Sequence, residues 1–340
     1  MKVLQTMAGA EHGGAEDFFT RLAVALQRAG VDQRVVIRHN PVRAEKLRRE
    51  GVHPRELSFG GPIDVKSRWA IRREIAEYKP DIVFSWMNRA AAMCPKGKFT
   101  HIGRLGGYYK MKYYRNCDHL VANTEDIAGY LARNGWPPEK IHFLPNFVHA
   151  GGAKPIKRED YYTPYKTPLI LAMGRLHENK AFDTLLEAVA RVPDVYLWLA
   201  GDGPLRGELE AQAERLGIKP RVRFLGWCED TGPLLAAADI FVCPSRHEPL
   251  GNVVIEAWAH SVPVVAADSL GPGTLLDQGD SGLLVPVDDA PAMAGAIRSV
   301  INDNVLAQHL ADHGHAAYQA GFTEKIVVEK YLEFFQRLLT

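Results

Sequence analysis

The chain reads as an α/β protein made of two Rossmann-like, doubly wound parallel-sheet domains facing a cleft. Three observations predict this. Strand-like and helix-like segments alternate through the first half, a Gly- and Pro-rich break spans 145–168, and the alternation then begins again. Loops that follow strands carry glycines and charged side chains, as in sheets that bind ligands at their strand carboxyl ends. The length of 340 residues suits two such domains.

Taken in order, Val3 to Met7 is a strand, and Ala15 to Ala29 has apolar residues at helical spacing and stops at Gly30. Gln33 to Arg38 is the second strand. Lys66 to Tyr78 is a helix with Trp69, Ile71, Ile75 and Tyr78 on its apolar side. Pro80 to Ser85 and His119 to Asn123 are further strands, the latter leading into a helix at Glu125 to Asn134. The break holds Gly151, Gly152, four prolines and the polar run Lys154 to Asp160, which marks a linker. Strands then follow at 169–173, 196–200, 222–225, 240–243 and 264–266, with helices at 181–191, 205–216, 232–238 and 252–260 between them. The expected domains are 1–150 and 169–321, joined by a linker at 151–168, with a last helix at 322–340 packing back on the first domain.

Composition excludes several classes. Hydrophobic content of 46% and charged content of 24% are those of an ordinary globular protein, and no apolar run approaches the roughly 20 residues of a membrane span. The start of the chain reads as a strand rather than a secretory signal. Cys94, Cys117, Cys228 and Cys243 show no CxxC spacing, which fits a reducing cytoplasm, and no metal site is visible. The net charge of +1 conceals an asymmetry: residues 1–160 hold 27 Lys and Arg against 17 Asp and Glu, and the remainder 14 against 23. The basic half is therefore expected to meet something anionic.

Four loops carry the candidate chemistry. Gly9 to Glu16, with Gly13 and Gly14, opens the first long helix and offers free amides to a phosphate or sugar oxygen; the alternative is a tight structural turn. It is neither a GxGxxG nor a Walker A loop. After the first strand of the second half, Gly174, Arg175 and Lys180 place two cations where one diphosphate can meet both, and solvated surface charges are the alternative. Gly201 and Asp202, in Ala200 to Pro204, form a third loop. The fourth, Ser245 to Ala259, sets Glu248 and Glu256 eight positions apart across a Pro-Leu-Gly turn that opens a helix.

Together Gly174-Arg175 with Lys180, Ala200 to Pro204, Phe224 to Gly226 and above all Glu248-Pro-Leu-Gly-Asn-Val-Val-Ile-Glu256 resemble family four of the retaining glycosyltransferases, which have the GT-B fold. The resemblance covers essentially the whole chain. It implies a donor site in which Glu248 lies by the transferred sugar and Glu256 holds the ribose hydroxyls. Arg175 and Lys180 grip the diphosphate, the amides of Leu250, Gly251 and Asn252 meet sugar and phosphate, and the loop after Gly226, with Trp227, lies by the base. The family carries a histidine near a mid-domain strand end; His101 or Arg104 stands there, with a core histidine as the alternative. No cofactor or metal is implied, and the donor is a UDP- or GDP-sugar.

The resemblance implies transfer of a hexose, with retention, to an acceptor glycan or glycolipid bound by the basic half. Looser likeness in Arg104 to Lys110 and Cys117 to Thr124 points to bacterial lipopolysaccharide-core or surface-glycan synthesis. The mixture of Tyr108, Tyr109, Lys110, Lys112, Tyr113, Tyr114 and Arg115 suits an anionic membrane surface, and inward-packed tyrosines are the alternative. The expected location is cytoplasmic, peripheral on the inner face of the cytoplasmic membrane. A nucleotide-sugar 2-epimerase or hydrolase of the same fold and a non-catalytic nucleotide-binding relative are the rival readings. Nothing supports nucleic-acid binding.

Overall fold

A computed structural model describes residues 1–11, 13–61, 64–149 and 152–339. His12, Gly151 and the proposed boundary at Ala150 lie outside the described residues. The chain divides into two units, Met1–Phe147 together with Glu324–Thr340, and Val148–Thr323.

In the first unit seven strands, β1 (Lys2–Met7), β2 (Asp32–Arg38), β3 (Arg55–Leu57), β4 (Ile82–Trp86), β5 (Thr100–Leu105), β6 (His119–Ala122) and β7 (Ile141–Phe143), form a parallel sheet. Their order is β3-β2-β1-β4-β5-β6-β7, so the winding reverses between β1 and β4. Its helices are α1 (Gly14–Arg28), α2 (Pro41–Arg49), α3 (Val65–Tyr78), α4 (Met87–Met93) and α5 (Glu125–Arg133). Phe18, Phe19, Leu22 and Leu26 recur at helical spacing on α1 and are fully buried with Phe84 and Trp86 of the sheet. Each such side chain contributes roughly 1.5–3 kcal/mol by leaving water.

The second unit repeats the pattern with β8 (Leu169–Met173), β9 (Tyr196–Ala200), β10 (Val222–Gly226), β11 (Ile240–Cys243), β12 (Val264–Ala267) and β13 (Leu283–Val285). These run β10-β9-β8-β11-β12-β13, reversing between β8 and β11. Its helices are α6 (Phe182–Ala190), α7 (Arg206–Arg215), α8 (Gly232–Ala237), α9 (Asn252–Ala259), α10 (Leu270–Leu275), α11 (Ala290–Asn302) and α12 (Asn304–Gly321). One core joins α6, α7 and α11 to the sheet, and another joins α8, α9 and α12 to it. The last helix, α13 (Glu324–Arg337), belongs to the first unit, where Tyr331, Phe334 and Phe335 enter its core.

Two expectations need correcting. On α3 the buried stripe is Ser67, Ala70, Ile71, Glu74 and Tyr78, whereas Trp69 is 60% exposed. Trp69 is two positions from Ser67 and Ile71, roughly 200° round the helix from each, so it cannot share their face. The segment expected as a linker is folded onto the second sheet. The Tyr161 ring packs tilted against that of Trp198, centroids 5.0 Å apart, and Arg158 donates to the Ala237 carbonyl while pairing with Asp239 at 2.8 Å. The four cysteines are free thiols.

Candidate active site

In the second unit β8 and β11 are neighbours at the point where the winding reverses, with Ile170 opposite Ile240 and Leu171 opposite Phe241. The loops leaving them therefore emerge side by side at the carboxyl edge, where sheets of this topology bind ligands. One carries Gly174, Arg175 and Lys180; the other carries Glu248, Leu250, Gly251 and Asn252. The loop after β9 lies directly against the first. Gly201 has φ +149°, and a β-carbon on it would stand 1.9 Å from the Gly174 carbonyl oxygen, so this approach requires glycine. Leu176 donates to the Asp202 carbonyl at 3.0 Å and Gly201 to the Gly226 carbonyl at 2.7 Å, binding three of the expected donor loops into one backbone framework.

The Lys180 ammonium is paired with the Glu248 carboxylate, both mostly buried. Burial pulls the lysine's pKa down, but attraction to Glu248 outweighs it and holds the amine above its ordinary range. Glu248 also accepts from the Gly251 amide at 3.4 Å. Gly251, at φ +80°, turns the chain into α9, leaving the amides of that helix start unused by the helix itself. Leu250 is buried, whereas Asn252 and Glu256 are half-buried on α9. Arg175 is exposed, and among the described residues no hydrogen bond or ion pair holds it. Trp227, after β10, is 62% exposed. The arrangement can grip an anion with two cations beside carboxylates able to accept hydroxyl protons.

Arg246, two residues before Glu248, was missed by sequence reasoning. It donates to both carboxylate oxygens of Asp183, at 3.0 and 2.6 Å, pairs with Asp288 at 2.7 Å and donates to the Glu178 carbonyl at 2.8 Å. Its hydrogen bond to Asp183 raises its pKa despite partial burial, with Asp288 adding to the effect. His247 donates its amide to the Asn179 carbonyl at 3.1 Å. Arg246 thus clips the Lys180 loop to the Glu248 loop. Its position inside the Glu248 segment was the only signal, because Asp183 and Asp288 lie far away in sequence.

In the first unit the Gly9–Gly13 loop leaves β1 at the corresponding reversal, and α1 begins at Gly14. Glu16 is buried beneath the loop and accepts from the Ala10 amide at 2.6 Å. Arg43 donates to the Ala10 and Glu11 carbonyls at 2.9 and 3.0 Å, so the loop is tied from below. Met87, just past β4, holds φ +64°, a conformation that costs a bulky residue about 1–3 kcal/mol and tends to occur at ligand sites. Asn123, after β6, has a buried side-chain oxygen with no hydrogen-bond partner among the described residues. Such a group is suited to a ligand donor. Met87 and Asn123 were not singled out in sequence, and strand-end position was their only signal; Glu16 was named only as the end of the Gly9 loop.

Of the readings left open at this strand, the structure shows the core one for His101, and it buries Arg104 as well. His101 is buried near the start of β5, not at its carboxyl end. Its Nε2 meets the Ser85 hydroxyl at 2.9 Å and its Nδ1 the Asn116 carbonyl at 2.9 Å. Burial lowers its pKa, and both ring nitrogens are spent on protein, so it is a core histidine. Arg104 is equally buried, its guanidinium 4.7 and 4.5 Å from the ring centres of Phe18 and Trp86. It donates from Nε to the Tyr331 hydroxyl at 2.9 Å and also to Asn146, serving as a cationic pin for α13.

Comparison with known proteins shows the family and the fold. Residues 167–303 match the model described as glycosyl transferases group 1, and residues 12–151 the model described as glycosyltransferase family 4. The lipopolysaccharide core biosynthesis glycosyltransferase LpsE of Rhizobium meliloti is 42% identical, over 98% of this chain and 98% of that protein. LpsD of the same organism, described in the same terms, is 37% identical over 99% and 98%. The crystal structure of Anabaena HepE with UDP-glucose superimposes with a TM-score of 0.86, over 99% of this chain and 100% of that one, at 21% identity, a likeness of fold.

Proposed function

We propose that this chain, which belongs to the glycosyltransferases of group 1 and family 4, transfers a hexose from a UDP-sugar to a lipopolysaccharide-core acceptor with retention of configuration. The observation that carries the reading is the Lys180–Glu248 pair at the winding reversal of the second sheet, beside an exposed Arg175 that has no counter-ion among the described residues. A nucleoside diphosphate leaving group develops negative charge as the glycosidic bond to it breaks. Arg175 and Lys180 supply two positive charges there without a metal, Glu248 holds the sugar hydroxyls, and Glu256 holds the ribose. Lys180 then exchanges its carboxylate partner for phosphate oxygens, and Glu248 is released to the sugar. Attack from the same face, with the departing phosphate taking the acceptor's proton, needs no further protein base. The names of LpsE and LpsD support the acceptor class, and the UDP-glucose bound by HepE supports the donor.

The basic first unit is proposed to meet the anionic acceptor at the inner face of the cytoplasmic membrane. Val65 and Trp69, 70% and 60% exposed, lie one turn apart on α3, with Lys66, Arg72 and Arg73 also exposed on that helix. Apolar side chains among cations suit an anionic lipid surface. The tyrosines of 108–115 support it less, since Tyr114 is buried and the others pack inward. Among the described residues no helix is long and apolar enough to cross a membrane.

The test is turnover with a panel of UDP- and GDP-hexoses and truncated lipopolysaccharide acceptors, with and without EDTA. The anomeric configuration of the product is read by NMR. A product of inverted configuration, or turnover abolished by EDTA, would overturn the proposed mechanism. Flotation with anionic vesicles at low and high salt tests the membrane surface through the double variant Val65→Ser with Trp69→Ser.

A further inference from the structure

Among the described residues, Asp280, His309 and His313 of the second unit form a cluster of possible metal ligands outside the donor loops. His309 and His313 lie four residues apart on α12, a spacing that stacks their rings on one helix face, with centroids 4.1 Å apart. Facing both is Asp280, from the turn between α10 and β13. One oxygen of Asp280 lies 3.0 Å from Nε2 of His309 and also contacts Nδ1 of His313. All three ligand atoms fall within 4.8 Å of one another, and all three side chains are exposed, so none is needed to fill a core.

The elements that present them are fixed. The turn is closed by its own backbone, Asp280 and Ser281 both donating to the Asp277 carbonyl, at 3.0 and 3.1 Å. It is anchored from beneath by Trp258, whose indole donates to the Ser281 carbonyl at 2.9 Å. The same Trp258 holds α12: Gly314 lies against its ring, and the His315 ring contacts its carbonyl at 3.1 Å. Asp280 and the two histidines are therefore held by elements that meet at one tryptophan, and that tryptophan belongs to α9, the helix that carries Glu256.

We propose that Asp280, His309 and His313 form a surface site for a borderline divalent transition metal, zinc being the best match, that clamps the 277–282 turn to α12. Two imidazoles and one carboxylate are a suitable three-ligand set, and hard cations such as Mg²⁺ prefer all-oxygen sites. In a tetrahedral site with ligands at about 2.0–2.1 Å, ligand atoms stand roughly 3.3 Å apart, so the 3.0 Å contact need open by only a few tenths of an ångström. The metal would take a ring-nitrogen lone pair from each neutral imidazole and one oxygen of the ionised carboxylate. A fourth position stays open to water. The clamp braces the back of α9 and takes no part in sugar transfer, so it stands independently of the mechanism proposed above.

Titration calorimetry of the full chain without a histidine tag, using Zn²⁺ and then Mg²⁺, tests it. One equivalent of Zn²⁺ is expected to bind at micromolar affinity, with a melting temperature raised by several degrees at saturation, and Mg²⁺ is expected not to bind. The variants His309→Gln, His313→Gln and Asp280→Asn should each weaken binding at least about tenfold and abolish the thermal shift. Co²⁺ should give intense visible absorption in the wild type and none in the double histidine variant. Zinc bound equally well by that double variant, or by Asp280→Asn, would overturn the site, as would no binding to wild type below about millimolar zinc. All three side chains are exposed, and unchanged circular dichroism in the absence of metal separates loss of the site from loss of the fold.

Discussion

In the first unit Arg104 lies sealed between the rings of Phe18 and Trp86, bonded to Tyr331 and Asn146. In the second, Arg175 stands exposed, and Lys180 is held at the strand edge by a carboxylate. Both sheets wind in the same order and reverse at the same place. The difference lies in what surrounds each cation. An arginine ringed by aromatic faces and neutral acceptors is committed to its own fold, because moving it would strip it of every partner. A lysine paired with a single carboxylate beside open loops can change partners when an anion arrives. Equal topology thus houses a structural cation in one half and, in the proposed mechanism, the cations that meet the leaving group in the other.

Lys180→Ala or Arg175→Ala should break this contrast most sharply. Either is expected to lower turnover about 10²–10³-fold, in line with loss of a transition-state charge stabiliser; the melting temperature moves little for exposed Arg175 and falls for Lys180→Ala, which leaves the Glu248 carboxylate without its partner. Turnover near wild type would mean that these cations are as structural as Arg104. The reciprocal variant, Arg104→Ala, should cost on the order of 3 kcal/mol of stability by leaving a cavity and unpaired Asn146 and Tyr331 groups. Its turnover per folded molecule should stay within a few-fold of wild type, and urea denaturation followed by assay of the folded fraction checks both.

A smaller effect concerns the loop framework. Gly201→Ala places a β-carbon against the Gly174 carbonyl at a positive φ and should destabilise the second unit by about 2 kcal/mol. Because Gly174 leads into Arg175, donor affinity should weaken as well, measurable by calorimetry with UDP. An unchanged affinity would separate the framework from the site.

The smallest effect is a pH dependence that differs between the units. His142 and His119 contact at 3.0 Å on the β6–β7 edge, and burial, then the neighbouring His119, lowers His142 from 6.5 to about 4. Between those values the unfolded chain binds the proton and the folded chain does not, so stability falls as pH drops through this window. With solvent screening of a partly exposed ring the loss is on the order of 2 kcal/mol. His142→Phe should flatten the urea midpoint between about pH 7 and about pH 4.5. Lys180 behaves oppositely: its raised pKa means the stabilisation from Glu248 is complete at neutral pH and is lost only when strong alkali removes the ammonium's proton.

Much of this was legible in sequence. The strands at 169–173, 196–200 and 240–243 coincide with β8, β9 and β11, because each is a short apolar run bounded by turn residues. That the loops at 174–180, 201–204 and 245–251 follow strands was legible too, since glycine and charge there stand just beyond short apolar runs. The helices α11 and α12 and the short strand β13 were not singled out, and the Trp69 face was misread because apolar character alone does not place a residue within a stripe. The roles of His101 and Arg104 could not be separated by reading, because residue type does not reveal whether a side chain turns into the core or toward the ligand edge.

By itself the sequence determined the alternation of strands and helices, the break between two sheets, the family, and the short-range spacing of Glu248 and Glu256 on one turn and helix. Those features depend on residues near one another along the chain, where periodicity and turn chemistry act directly. Only the tertiary structure decided that Lys180 meets Glu248, that Arg246 clips their loops through Asp183 and Asp288, and that Asp280 faces His309 and His313. Each of these joins residues far apart in the chain, and what brings them together is the winding of the sheet and the packing of its helices, which spacing along the chain does not encode.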